Sequence, residues 1–138
     1  MNHSAVSSSA LVGRVLLAGL FLVSGFGKLV APAATKAYIV SAGLPVPDLA
    51  YLLAVVVEVG FGLALVLGYR TRAVAAIMAV FTLATAFAFH AHFGDQNQMI
   101  HFLKNVAIAG GLLQVVALGA GAYSLDGLRG RATRPALA

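Results

Sequence analysis

The chain has 138 residues, of which 61% are hydrophobic and only 9% charged, and it carries a net charge of +5. A soluble domain holds roughly 25% charged residues, and a chain this short has no core able to hide so much apolar surface, so a water-soluble globule is excluded. The nine basic residues are scattered beside apolar runs rather than clustered, which excludes a nucleic-acid surface, and the absence of cysteine removes disulfides, thiolate nucleophiles and Cys-ligated metals.

A helix needs about 20 apolar residues to cross the hydrocarbon core. The first such run is Leu11–Val30. It is preceded by a Ser-rich start, residues 1–9, that is expected to be mobile. Ala31-Pro32-Ala33 is faintly like a signal-peptide cleavage site, but no Lys or Arg precedes the run, so a true span is preferred. The connection Ala31–Leu49 holds Pro32, Gly43, Pro45 and Pro47, and Ala33–Ser41 within it reads as a short interfacial helix. The second span is Ala50–Leu67. The tight turn Gly68–Arg72 then sets the third span, Ala73–Phe89, beside it and antiparallel. Ala91–His101 is polar, Phe102–Ala122 is the fourth span, and residues 130–138 form a second mobile tail. The expectation is a single all-α domain, an integral membrane four-helix bundle with antiparallel neighbours.

Lys and Arg orient it. Six arginines (Arg14, Arg70, Arg72, Arg129, Arg131, Arg134) fall on the side of the termini, and three lysines (Lys28, Lys36, Lys104) on the other. Both termini are therefore expected in the cytoplasm. Tyr38, Tyr51, Phe93 and Phe102 would belong to the outer aromatic belt, and Tyr69 and Tyr123 to the inner one.

Lipid is as apolar as leucine, so small residues must let the helices approach. Ala54 and Gly62 share the face of Glu58, Ala107 and Gly111 pair on span four, and span three is alanine-rich. Gln114, deep in span four, is expected to make an interhelical hydrogen bond.

Charges inside a membrane cost at least about 2.5 kcal/mol each near its centre, so they are the main functional signal. Glu58 lies about 12 Å below the outer end of span two at 1.5 Å per residue. It must be either protonated or paired. Arg14, Phe21, Ser24 and Lys28 fall on one helical face that should turn into the bundle. His101, Lys104 and Asn105 share a face at the start of span four. Lys104 and Asn105 can donate to a carbonyl or an anion, and histidine changes charge near neutral pH. His90 and His92 end span three, but a His-x-His pair at an interface is weak support for a metal, and none is expected. Lys28, Glu58, His90, Lys104 and Asn105 all map to the outer half of the bundle. Two cations around one carboxylate would leave a positive pocket suited to a quinone carbonyl, a lipid phosphate or a small acid.

The chain also resembles the DoxX family of small four-span membrane proteins. The resemblance is carried by Arg14, by Ser24-Gly25-Phe26-Gly27-Lys28, by Glu58 with Gly60 and Gly62, by Leu67–Arg72, and by Met99–Leu113 with its Lys104-Asn105-Val106-Ala107-Ile108-Ala109-Gly110-Gly111 stretch. It implies a multi-pass protein of the bacterial inner membrane. Relatives are linked with thiosulfate:quinone oxidoreductases and oxidative-stress complexes, and distant animal relatives look like assembly chaperones. Without cysteine or a flavin or haem motif, an autonomous redox enzyme is not expected, nor is a covalent cofactor. Three functions are therefore open. The first is a redox-associated subunit binding a quinone or similar lipophile, with Glu58 exchanging protons and Ser24, Lys28, His101, Lys104 and Asn105 holding the ligand. His90 and Arg14 are secondary candidates for that site. The second is a non-catalytic scaffold or assembly helper for another membrane or redox protein, with an oxidoreductase or a further copy of the chain as partner. The third is a small proton-coupled carrier.

Overall fold

A computed structural model describes residues 3–132. All its regular structure is helical: α1 (His3–Val30), α2 (Pro32–Ser41), α3 (Pro47–Val55), a π-helical segment (Val56–Phe61), α4 (Gly62–Leu67), α5 (Thr71–His90), α6 (Gln96–Leu118) and α7 (Leu125–Ala132). Four stretches are long and apolar enough to cross a membrane: Ser4–Val30, Pro47–Leu67, Thr71–His90 and Gln96–Leu118. The second of these comprises α3, the π segment and α4.

The differences from the sequence reading lie at the ends. Residues 3–9 continue α1 and residues 130–132 belong to α7, while residues 133–138 of the expected tail lie outside the described residues. The early turns of α1 are braced by the C-terminal segment: a Cβ on Gly121 would stand 3.0 Å from Cβ of Ala10. α6 starts at Gln96, six residues before the expected Phe102. The cause is Asp95, whose carboxylate accepts from the N–H groups of Asn97 (2.7 Å) and Gln98 (3.2 Å) and so satisfies two orphan donors of the first turn. α6 ends at Leu118 rather than Ala122 because Gly119 and Gly121 both take positive φ.

A core of Ala18, Phe21, Val57, Leu65, Val74, Ala75, Met78, Ala79 and Leu112 joins the four spans. Ala75, Ala79 and Ala86 of α5 are fully buried, the close approach that small residues permit. Gly62 does the same on α4, where a Cβ would come within 3.0 Å of Leu22. On α6 the buried face carries Ala109 and Leu112. Gln114 and Ala107 therefore face outward. Gln114 makes no interhelical hydrogen bond among the described residues, contrary to expectation, because it lies on the opposite side of α6 from Leu112.

At the Arg14 end of the bundle, α7 clasps the turn between α4 and α5. Gly68 caps α4 with φ 67°, and a Cβ there would collide with Arg14 and Ser124. Arg70 and Thr71 open α5 without a local cap. The carboxylate of Asp126 supplies one, accepting from Arg70 N (2.9 Å), Thr71 N (2.8 Å) and Thr71 Oγ1 (2.8 Å), while its own N–H donates to Gly68 O. Burial pushes the Asp126 carboxyl up, but these hydrogen bonds and the Arg129 charge outweigh it, so its pKa lies below the ordinary 3.8. A depressed carboxyl stabilises fully above its ordinary pKa and loses that stabilisation as pH falls through the lower folded value. The clasp should hold at neutral pH and release below about pH 4, on the acid side of that ordinary value. Asp126→Ala, which removes the cap, should cost about 1 kcal/mol and abolish the acid-dependent step. Unfolding in detergent as a function of pH, with proteolysis of α7 as the readout, tests both.

Candidate functional site

Glu58 sits in the π segment of the second span. The wider i→i+5 turn inserts an extra residue into the helix, and such segments occur frequently at functional sites. α1 crosses this turn at Gly25: a Cβ there would stand 2.7 Å from Val59 Cγ2 and 2.9 Å from Glu58 Cβ. Only glycine lets α1 approach so closely, and the approach delivers the next turn of α1 to the carboxylate.

That turn carries Lys28. Its Nζ donates to Glu58 Oε1 (2.9 Å), Glu58 Oε2 (2.8 Å) and Ser24 Oγ (2.9 Å). Tyr51 Oη donates to the Lys28 carbonyl at 3.2 Å. The Glu58 side chain is 8% exposed and that of Lys28 25%. Of the two states open to Glu58 in the sequence reading, the structure shows the paired one.

The ion pair lines a cavity of about 710 Å³ within the Lys28 end of the bundle. Pockets for small ligands run from about 300 to 1,000 Å³. Its walls are mostly apolar and include Leu20, Phe21, Phe81 and Phe89, with Thr82, Thr85, His90 and Asn105 as polar members. α2, the interfacial helix expected over Ala33–Ser41, covers one side with Tyr38 and Ile39. The Tyr38 ring stacks on Phe89 at 5.2 Å, and Lys36 pairs with Asp48 to tie α2 to α3. α2 reaches α3 through Gly43 (φ 76°) and Val46 (φ 52°), and the left-handed region is strained for a β-branched residue such as Val46.

The expected site residues therefore divide. Ser24, Lys28, Glu58, Asn105 and His90 line the cavity together. Lys104 is exposed and outside it, because on α6 the inward positions are Asn105, Ile108, Ala109 and Leu112. The expected Lys28–Glu58–Lys104 network and its positive surplus are thus corrected: one cation meets one carboxylate, and the pair is neutral. His101 is also exposed and does not line the cavity. Its ring stacks on His90 at 5.1 Å, and His90 Nδ1 lies 2.8 Å from Gln98 Oε1, so the histidines form part of the rim. Among the described residues no three His, Cys, Asp or Glu side chains stand close enough to hold a metal.

Arg14 belongs to another place. It is 1% exposed, and its guanidinium donates to Leu65 O (3.0 Å), Val66 O (3.2 Å) and Tyr123 O (2.6 Å). It caps the second span and ties down the C-terminal segment, so its candidacy as a ligand residue is withdrawn. Sequence reasoning missed the π turn, Tyr51 and the aromatic walls. Glu58 alone in an apolar run marked the position, but nothing in the local sequence distinguishes a π turn from an α turn.

Four membrane-length helices around a buried ion pair and an apolar cavity define a small polytopic membrane protein with an internal site. The DoxX family profile matches residues 9–91, which cover α1 to α5 and with them Lys28, Glu58 and His90. The chain belongs to the DoxX family. It is similar to inner membrane protein YqjF of Escherichia coli K12, 42% identical over 118 residues, covering 86% of this chain and 89% of the relative. It is also similar to inner membrane protein YphA of the same organism, 39% identical over 122 residues, covering 84% and 86%. No solved structure matches it.

Proposed function

We propose that this inner-membrane protein binds a ring-bearing lipophile, of the quinone type, in the cavity beside Glu58, as the membrane partner of a redox system. The observation that carries the reading is the Lys28–Glu58 pair, placed on a π turn and opening on a cavity of about 710 Å³ with aromatic walls. A structural ion pair needs no cavity beside it, whereas a binding site does. Glu58 exchanges a proton with the bound head, Lys28 holds the carboxylate in place, and Asn105 meets a ligand oxygen from α6. The bundle is antiparallel with both termini cytoplasmic. Arg14 in the first half of α1 reaches Leu65 near the end of the second span, while Lys28 near the end of α1 reaches Glu58 in its middle. The arginine-rich end is then the inner one.

A second reading, a scaffold for another membrane protein, rests on α6. It leaves Gln114 exposed on a face shared with Ala107, Gly110 and Ala117, and polar and small residues favour helix association in lipid.

Native mass spectrometry after gentle extraction, with small molecules identified from the same sample, separates the readings. The expected result is a co-purifying ring lipophile whose occupancy falls several-fold in Glu58→Gln. A stoichiometric protein partner with no ligand would favour the scaffold instead.

A further inference from the structure

From the hydrogen-bond inventory of the cavity we infer that it prefers a neutral aromatic lipophile bearing a hydroxyl, as in the reduced, quinol form of a quinone-type ligand, over heads that only accept, and that it discriminates against acids and phosphates. This deepens the proposed lipophile site and rests on it. An ammonium has three N–H donors, and those of Lys28 are committed to Ser24 Oγ and the two oxygens of Glu58. The cation therefore has no donor left for an anionic head, and its charge is already cancelled by Glu58. The carboxylate, by contrast, offers about four acceptor sites, and among the described residues Lys28 is its sole side-chain donor. What Glu58 still lacks is a hydrogen-bond donor, and a ligand hydroxyl is one.

Most of the lining agrees; Ser24 Oγ accepts from Lys28 and keeps its own hydrogen to donate. Thr82 Oγ1 donates to Met78 O and Thr85 Oγ1 to Thr82 O, so both hydroxyls turn their hydrogens away from the cavity and can only accept. The Asn105 side chain lines the cavity, has no hydrogen-bond partner among the described residues, and can donate to the hydroxyl oxygen. Phe21, Phe81, Phe89 and Tyr38 contribute four rings to the lining, which favours an aromatic body over an alkyl chain. An anionic head would give up its hydration in a mostly apolar wall with no free cation to offset the loss.

The test compares 4-nonylphenol, its methyl ether and 4-nonylbenzoic acid at neutral pH. Binding is measured to the full-length protein in nanodiscs of zwitterionic lipid, with empty discs subtracted. The phenol should bind about tenfold or more tighter than the ether, the worth of one hydrogen bond to a charged acceptor, and the acid should bind weakest. In Lys28→Met/Glu58→Met the phenol should lose its advantage over the ether. An ether equal to the phenol, an acid that binds tightest, or an advantage that survives in the double variant would each overturn the selection while leaving the cavity as a lipophile site. Absence of saturable binding by all three would overturn the lipophile site itself.

Discussion

Lys28→Met is expected to destabilise the bundle by about 3–5 kcal/mol, the usual cost of removing one partner from a buried pair. Glu58→Gln should cost less, and Lys28→Met combined with Glu58→Met should recover most of the loss. The asymmetry follows from burial. Glu58 is 8% exposed and Lys28 25%, so an abandoned carboxylate stays in the low-dielectric interior. An abandoned ammonium sits on a long stem near the end of α1 and can move toward water. The double variant removes both charges, and apolar replacement of a buried pair is often neutral or stabilising. Thermal unfolding of the four proteins in one detergent measures the cycle. Single variants as stable as the parent, or a double variant worse than both, would show that the pair is not held in the buried geometry seen here.

The second large effect is expected at Arg14. Arg14→Met should cost about 3 kcal/mol or more, since hydrogen bonds to charged groups contribute about 1.5–3 kcal/mol each and three carbonyls lose a donor. Leu65 is fully buried, so its carbonyl bears the cost of the lost donor in full. The loss should also free the C-terminal segment, because Arg14 Nη2 holds Tyr123 O directly. Cleavage near residues 119–124 by a protease added to inside-out vesicles would then accelerate together with the fall in melting temperature. Arg14→Lys should rescue only in part, because one ammonium does not reproduce the planar fork that reaches two backbone segments at once. Full rescue by lysine would mean that charge alone matters at this position.

Much of the architecture was legible in the amino-acid sequence. Span number, the short helix over Ala33–Ser41 and the exceptional status of Glu58 depend on hydropathy and on charge, which are properties of each segment in isolation. The inward turn of Arg14, Phe21, Ser24 and Lys28 was legible for a related reason: helical spacing fixes which residues share a face. Sequence spacing does not say which face of α6 meets its neighbours. Lys104 and Asn105 are adjacent, yet the packing of Ala109 and Leu112 against the core turns Asn105 toward the cavity and Lys104 out of it. That one rotation leaves a single cation, Lys28, beside Glu58 in the pocket instead of two. The roles of Asp126 and Arg14 were hidden for the same kind of reason. Each satisfies backbone groups on a segment more than fifty residues away, and such groups become partners only when the helices assemble. The π turn at Glu58 lies where Gly25 lets α1 press against the second span, a contact that no single segment reveals. Local sequence thus determines which segments enter the membrane and which charges go with them. Helix rotation and close approach decide which of those charges meet, because both depend on the packing of neighbouring helices.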